Sequence, residues 1–189
     1  MKKLLILVKH SLPEIVEDLP AREWKLSDVG RMRAQQLAKR LHHFQPEIIV
    51  SSTEPKAAET AEIIARDHKL DFHIVDGLHE HDRSKTPYLS REEFQAAIRE
   101  FFEKSALLVF GSETADEAYT RFYRAVYSVL NSDNFNKTTV VVAHGTVISL
   151  FVSRLTGVSE FLLWNELGLP SFVIIDIESN RVVTRETII

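Results

Sequence analysis

A mostly parallel α/β fold is what this chain predicts, on two observations. Short apolar runs, within Leu4–Val8, Glu47–Ser52 and Thr138–Ala143, have the length and β-branched content of strands buried on both faces. Amphipathic helical stretches separate them in a β-α-β-α-β order, which favours parallel pairing through right-handed crossovers.

The elements follow in order. The first strand, Leu4–Val8, gives way to Lys9-His10, and an acidic loop with two prolines runs on to Pro20. Ser27 is placed as an N-cap, and a helix over Ser27–His43 carries Ala34, Leu37, Ala38 and Leu41 inward. Pro46 closes the connection before the strand Glu47–Ser52. Thr53-Glu54-Pro55 then reads as a helix start, with a hydroxyl N-cap, an acid at the positive end and a proline in the first turn. That helix is expected to reach Asp67 with Ala57, Ala61, Ile64 and Ala65 inward, ahead of a short strand at Asp71–Val75.

From Asp76 to Tyr88 the sequence is polar and irregular. Two capping-box pairs, Ser90 with Glu93 and Thr114 with Glu117, announce two more helices. The second carries Ala118, Phe122, Ala125, Val126 and Val129 as its inward stripe. The strand Thr138–Ala143 ends in His144-Gly145 and leads into an apolar helix reaching Leu155. Phe172–Ile177 and Arg181–Thr187, split by Glu178-Ser179-Asn180, form a terminal hairpin or edge pair.

At 189 residues the chain is read as one domain, 1–189. Its net charge of −4 argues against a nucleic-acid partner held by a generally basic surface. The absence of cysteine excludes thiolate catalysis, disulfides and cysteine-based zinc sites, and fits a cytoplasmic location. The first apolar run falls short of the roughly 7 to 15 residues a signal peptide needs, and no run approaches the roughly 20 of a membrane span. No signal peptide and no membrane association are therefore expected.

Three strands thus end in polar groups, at Lys9-His10, Ser51-Ser52 and His144. In one parallel sheet these groups gather at the carboxyl edge, where α/β sheets bind ligands. Lys56 in the first turn of its helix points back to that edge, and Gly145 opens a helix whose N–H groups face an anion. Two imidazoles, two ammonium groups and helix N-termini suit a phosphoryl group.

These residues resemble a known family. Val8-Lys9-His10-Ser11 is similar to the Arg-His-Gly signature of the histidine phosphatase superfamily, which includes phosphoglycerate mutases and broad-specificity phosphatases. Leu26-Ser27-Asp28-Val29-Gly30 resembles its Leu-Ser/Thr-x-x-Gly helix start, and Ser51 to Ala61 follows its Ser-Ser-x-x-x-Arg-Ala-x-x-Thr-Ala spacing. Leu78-His79-Glu80 resembles its acid segment, Gly111–Thr114 loosely its Gly-Glu-Ser region, and Val140–Gly145 its Val-x-x-His-Gly. The resemblance implies a phosphoglycerate mutase-like three-layer α/β/α sandwich with an antiparallel edge strand. It also implies hydrolysis of small phosphomonoesters through a phosphohistidine on His10, with inorganic phosphate as product. Glu80, held protonated, is the implied acid, with Asp82 or Glu113 as alternatives. His144 is the implied partner of the phosphoryl oxygens, and Lys9, Lys56, Ser11 and Gly145 are the implied phosphate-binding positions. No metal and no cofactor are implied.

The chain also departs from the family pattern. Both signature arginines are lysine, at Lys9 and Lys56, which keeps charge but loses the bidentate fork. Ser11 stands where the family has glycine, and Leu12-Pro13 replaces a polar pair. A rival expectation follows, that of a non-catalytic or weakly active relative binding a phosphorylated ligand or a protein partner. Residues 76–113 are expected to cap the site and set specificity, with Arg83, Lys85, Tyr88, Phe94 and Phe101. His79 and His81 alternate as metal ligands do, but a solvated loop is the simpler reading. His42 and His43 suit a helix's negative end and are assigned no chemistry. Substrate identity and oligomeric state are left open.

Overall fold

The computed structural model of the chain describes residues 4–83, 86, 89–130, 137–176, 178–179 and 181–187. Six strands form one sheet: β1 (Leu4–Lys9), β2 (Ile48–Ser51), β3 (Phe72–Ile74), β4 (Thr139–Ala143), β5 (Ser171–Asp176) and β6 (Arg181–Thr187). Their spatial order is β3-β2-β4-β1-β5-β6. The first four in that order are mutually parallel; β5 runs against β1 and β6 against β5. Of the expected β5 segment and its turn, Ile177 and Asn180 lie outside the described residues.

The sheet sorts the apolar residues by parity. Ile6, Val8, Ile49, Val140, Val142, Phe172 and Ile174 face one layer of helices, α1 (Asp28–Leu41) and α2 (Pro55–His68). Leu5, Leu7, Val50, Val141, Ala143, Val173 and Ile175 face the other, built from α3 (Arg91–Glu103), α4 (Ala115–Leu130) and α5 (Gly145–Thr156). The result is a three-layer α/β/α sandwich. A seven-residue helix, α6 (Glu160–Glu166), has no counterpart in the sequence reading. Its N-cap Ser159 accepts from Leu162 N, a signal present in the sequence but followed by only two turns of pattern.

The local signals map onto the helix ends. Ser27 caps α1 through Gly30 N, Ser90 and Glu93 exchange both capping-box bonds, and Thr114 and Glu117 do the same ahead of α4. The start of α2 differs from expectation. Its N-cap is Glu54, not Thr53, and the Glu54 carboxylate turns into the protein to meet Lys56 and Glu80 instead of lying along the helix end. The acid is drawn inward by Lys56, two residues on, and by the Glu80 N–H, 26 residues away, which local sequence does not announce.

The loop after β1 is fastened onto the start of α1. Leu12 O accepts from both the N–H and the Oγ of Ser27, and Gly30 sits so close that a Cβ there would lie 2.0 Å from Leu12 O. Gly30 is therefore required by close backbone approach, next to the residue chain that carries His10. Replacing it with alanine (Gly30→Ala) is expected to cost about 1–3 kcal/mol as backbone shifts to relieve the clash, read as a lower midpoint in urea unfolding.

Candidate active site

Strand pairing explains why distant residues meet. β4 lies between β1 and β2, so the three strand ends stand side by side: His10 N donates to Ala143 O (3.0 Å) and Ser52 N to Val142 O (3.0 Å). His144 is thereby flanked by His10 and Ser52. The His10 and His144 ring centroids are 5.1 Å apart at 61°.

Both imidazoles are buried, His144 fully and His10 with 7% of its surface exposed. Burial, foremost, holds both well below the usual imidazole pKa. For His10 the neighbouring His144 and Lys56 charges add to it, and for His144 Lys56 acts the same way against the raising effect of Glu80. The rings are neutral at neutral pH. His10 Nδ1 lies 2.7 Å from Ser11 O, and a carbonyl only accepts, so Nδ1 carries the proton and Nε2 the lone pair. His144 Nε2 is 2.7 Å from Ser52 Oγ, whose acceptor side already takes Glu54 N–H (3.1 Å). A hydroxyl oxygen accepts twice, so this contact fits either His144 tautomer. Nδ1 of His144 is buried with no hydrogen-bond partner among the described residues, an arrangement costly unless a ligand completes it.

Lys56 and Glu54 form a buried pair the sequence did not expose. Lys56 Nζ donates to Glu54 Oε2 (2.5 Å) and to Ala21 O (2.6 Å). The other oxygen, Oε1, accepts from Glu80 N (2.8 Å) and lies 3.5 Å from His144 Nε2. Lys9 Nζ donates to Leu167 O (2.7 Å) at the end of α6, and burial lowers its pKa to about 8 against the raising effect of Glu80.

Three expected roles change. Ser11 points away from the site: its Oγ donates to Gly30 O (2.7 Å) and its N–H to Thr60 Oγ1 (3.0 Å), so neither donor is free for a phosphate. The helix end that opens at Gly145 is partly occupied. The next N–H, of Thr146, is taken by Glu80 Oε2 (3.1 Å), and the missing Cβ of Gly145 makes room for Lys9, whose Cε would lie 3.2 Å from one. Glu80 is not held protonated. Burial raises its pKa, but the Arg83 guanidinium, His144 and the His81 and Thr146 N–H groups outweigh it and hold the carboxyl below its ordinary value.

The alternatives for the acid separate as well. Glu113 is engaged by Arg121, which donates Nε to Oε2 (3.1 Å) and Nη2 to Oε1 (2.5 Å). The same arginine holds the carbonyls of Gly77, His79 and Glu80, so it shapes the acid-bearing loop. Glu113 Oε1 also accepts from Asp82 N (3.1 Å). His81 is buried against Phe101 and Phe110, with Nε2 3.2 Å from Glu113 O, so its ring is engaged in the interior. Phe101 is a core residue, whereas Phe94 carries the Arg83 guanidinium 4.7 Å above its ring. Lys85 and Tyr88 lie outside the described residues. Sequence reasoning missed Glu54, counted only as a helix-end acid, and the reach of Arg83 to Glu80 and His144.

A model of the histidine phosphatase superfamily (branch 1) matches residues 6–187. The chain belongs to this superfamily. Solved structures of related fold agree. The mycobacterial glucosyl-3-phosphoglycerate phosphatase is 21% identical with a TM-score of 0.78, covering 98% of this chain and 97% of that one. A phosphoserine phosphatase from Entamoeba histolytica, in complex with 3-phosphoglyceric acid, is 20% identical with a TM-score of 0.76 and covers 98% and 97%. YhfR of Bacillus stearothermophilus is 21% identical with a TM-score of 0.74 and covers 95% and 94%. Comparison with curated protein sequences gives no significant match.

The buried Lys9 ammonium offers a pH test of its expected place at the phosphate site. Its pKa near 8 means it loses its charge as pH rises past that value, well before an ordinary lysine would. Inorganic phosphate binding, measured by calorimetry, is expected to weaken above pH 8 by up to roughly tenfold per pH unit. The Lys9→Arg variant, always charged, is expected to lose that limb.

Proposed function

We propose that the protein is a cytoplasmic phosphatase of small phosphomonoesters that works through a phosphohistidine on His10. The observation that carries this reading is the pairing of a neutral His10, its lone pair on Nε2, with His144 5.1 Å away beside two lysines. Neutral imidazole is the nucleophilic form, and burial keeps His10 so at neutral pH. Nε2 attacks phosphorus in line as the bond to the leaving oxygen breaks. Water then attacks the phosphohistidine and releases inorganic phosphate, restoring the imidazole. Lys9, Lys56 and His144, taken in its Nδ1–H tautomer so that the unpartnered Nδ1 donates to phosphate, offset the charge of the equatorial oxygens.

The proton for the leaving oxygen comes from Glu80. Glu80 is ionised in the free pocket, and an arriving dianion raises its pKa, so it takes up a proton with the substrate. Glu54 already spans Lys56 and the His144 edge, where a phosphoryl oxygen would compete for the same cation. It acts as an internal anion that substrate must outbid. No metal is needed for these steps. Residues 76–113 would cap the open side, with Phe94 and Arg83 receiving the leaving group.

Hydrolysis of an aryl phosphate and trapping of acid-labile, base-stable phosphate on the protein test the reading together. The wild type is expected to turn over and to carry label on His10, and His10→Ala to lose both by at least about 10³-fold. Binding of phosphate esters without turnover would instead favour the non-catalytic rival. Replacing Glu54 by glutamine (Glu54→Gln) removes one buried negative charge beside Lys56 and is expected to tighten inorganic phosphate binding by about tenfold. In steady-state kinetics the same change is expected as stronger product inhibition by phosphate, and unchanged binding would end the role of Glu54 as competitor.

A further inference from the structure

At the opposite end of α1 and α2, a cluster of side chains has no place in the phosphatase chemistry. Both helices start at the catalytic edge: Ser27 bonds the Leu12 carbonyl beside His10, and Lys56 lies in the first turn of α2. Each is 14 residues long, so their last turns lie roughly 20 Å from that edge. There His42, which follows α1, meets Asp67 and His68 at the end of α2. One donor atom from each of the three falls within 4.8 Å of the other two.

We propose that His42, Asp67 and His68 form a binding site for a divalent transition-metal ion of the zinc type, which clasps the carboxyl ends of α1 and α2. Two imidazole nitrogens and one carboxylate oxygen, without thiolate, suit zinc or its borderline neighbours and leave a fourth position for water. The donors are oriented before any ion arrives. His68 Nε2 lies 3.0 Å from Ala38 O, so that nitrogen carries the proton and Nδ1 holds the lone pair. A ligand imidazole braced by a backbone carbonyl in this way has its tautomer and ring direction fixed in advance.

The reason the carbonyl is available lies in the helix end. The chain tightens into a 3-10 turn at His42–Phe44, where the His42 N–H turns to Arg40 O, and the His68 ring supplies the bond to Ala38. The His42 ring stacks on that of His68 with centroids 4.1 Å apart, and its Nε2 lies 2.6 Å from Asp67 Oδ2. An ion entering between them takes the Nε2 lone pair, and the proton held between the pair moves to Nδ1 of a neutral His42 ring or, from an imidazolium, to solvent. Two helices also end here, and the partial negative charge of their last carbonyls favours a cation. Nearby positive charges oppose this. Two of them are already answered, Arg66 by Glu62 and Arg40 by Glu186.

The test uses the full chain without a histidine tag. Zinc titrated into metal-free protein, followed by calorimetry, is expected to bind one ion per chain at this site and to raise the melting temperature. Cobalt is expected to give the visible bands of a four-coordinate centre. His42→Ala, Asp67→Asn and His68→Ala are each expected to weaken binding at least about tenfold and to abolish the melting shift, whereas His43→Ala leaves both unchanged. Phosphatase activity is expected to persist in the His42→Ala variant. Absence of zinc binding, or binding that survives both histidine substitutions, would overturn the proposal. Metal-free melting curves of the variants, if they match wild type, show that lost ligands and not lost folding account for the change.

Discussion

The insertion of β4 between β1 and β2 is the constraint from which the site follows. Parallel pairing on both sides aligns the strand ends, so His10, His144 and Ser52 become neighbours although they are scattered along the chain. No side chain has to reach far, because the backbone ladder does the positioning. The loop from His10 onward is then pinned by short contacts, Ser11 to Gly30 and Thr60, and Leu12 to Ser27. A site on strand ends braced this way is held more firmly than one on free loops.

Charge balance, more than geometry, distinguishes this pocket. Two lysines face two carboxylates, Glu54 and Glu80, with Arg83 close enough to act on the second. A lysine paired with an internal acid is a weaker anion ligand than an arginine free to clasp two oxygens. The pocket therefore holds its cations in reserve, and the strength with which it grips a phosphoryl group depends on how readily Glu54 gives up Lys56.

Much of this was legible in the chain itself. Apolar runs ending in polar residues located the strands and, through the carboxyl-edge rule, located the two histidines and two lysines. Ser27, Ser90 and Thr114 announced helix starts because a cap is a local interaction between residues three apart. What escaped was decided at long range. Glu54 at a helix start reads the same whether it faces water or Lys56, and only the fold brings Glu80 N to it. Glu80 was expected protonated, yet its ionisation is set by Arg83 and by Thr146 N–H, 66 residues away. Ser11 carried no sign of which way its hydroxyl would turn, and α6 was too short to show a period.

The place of β4 in the sheet also bears on how the chain is made. As synthesis proceeds, β1, β2 and β3 emerge long before the strand that must lie between the first two. Until residue 143 has left the ribosome, β1 and β2 keep unpaired inner edges, and such edges invite pairing with other chains. Nascent chains stalled short of that point should thus lean on chaperones, while release of β4 allows the sheet to close and the two histidines to meet in one event.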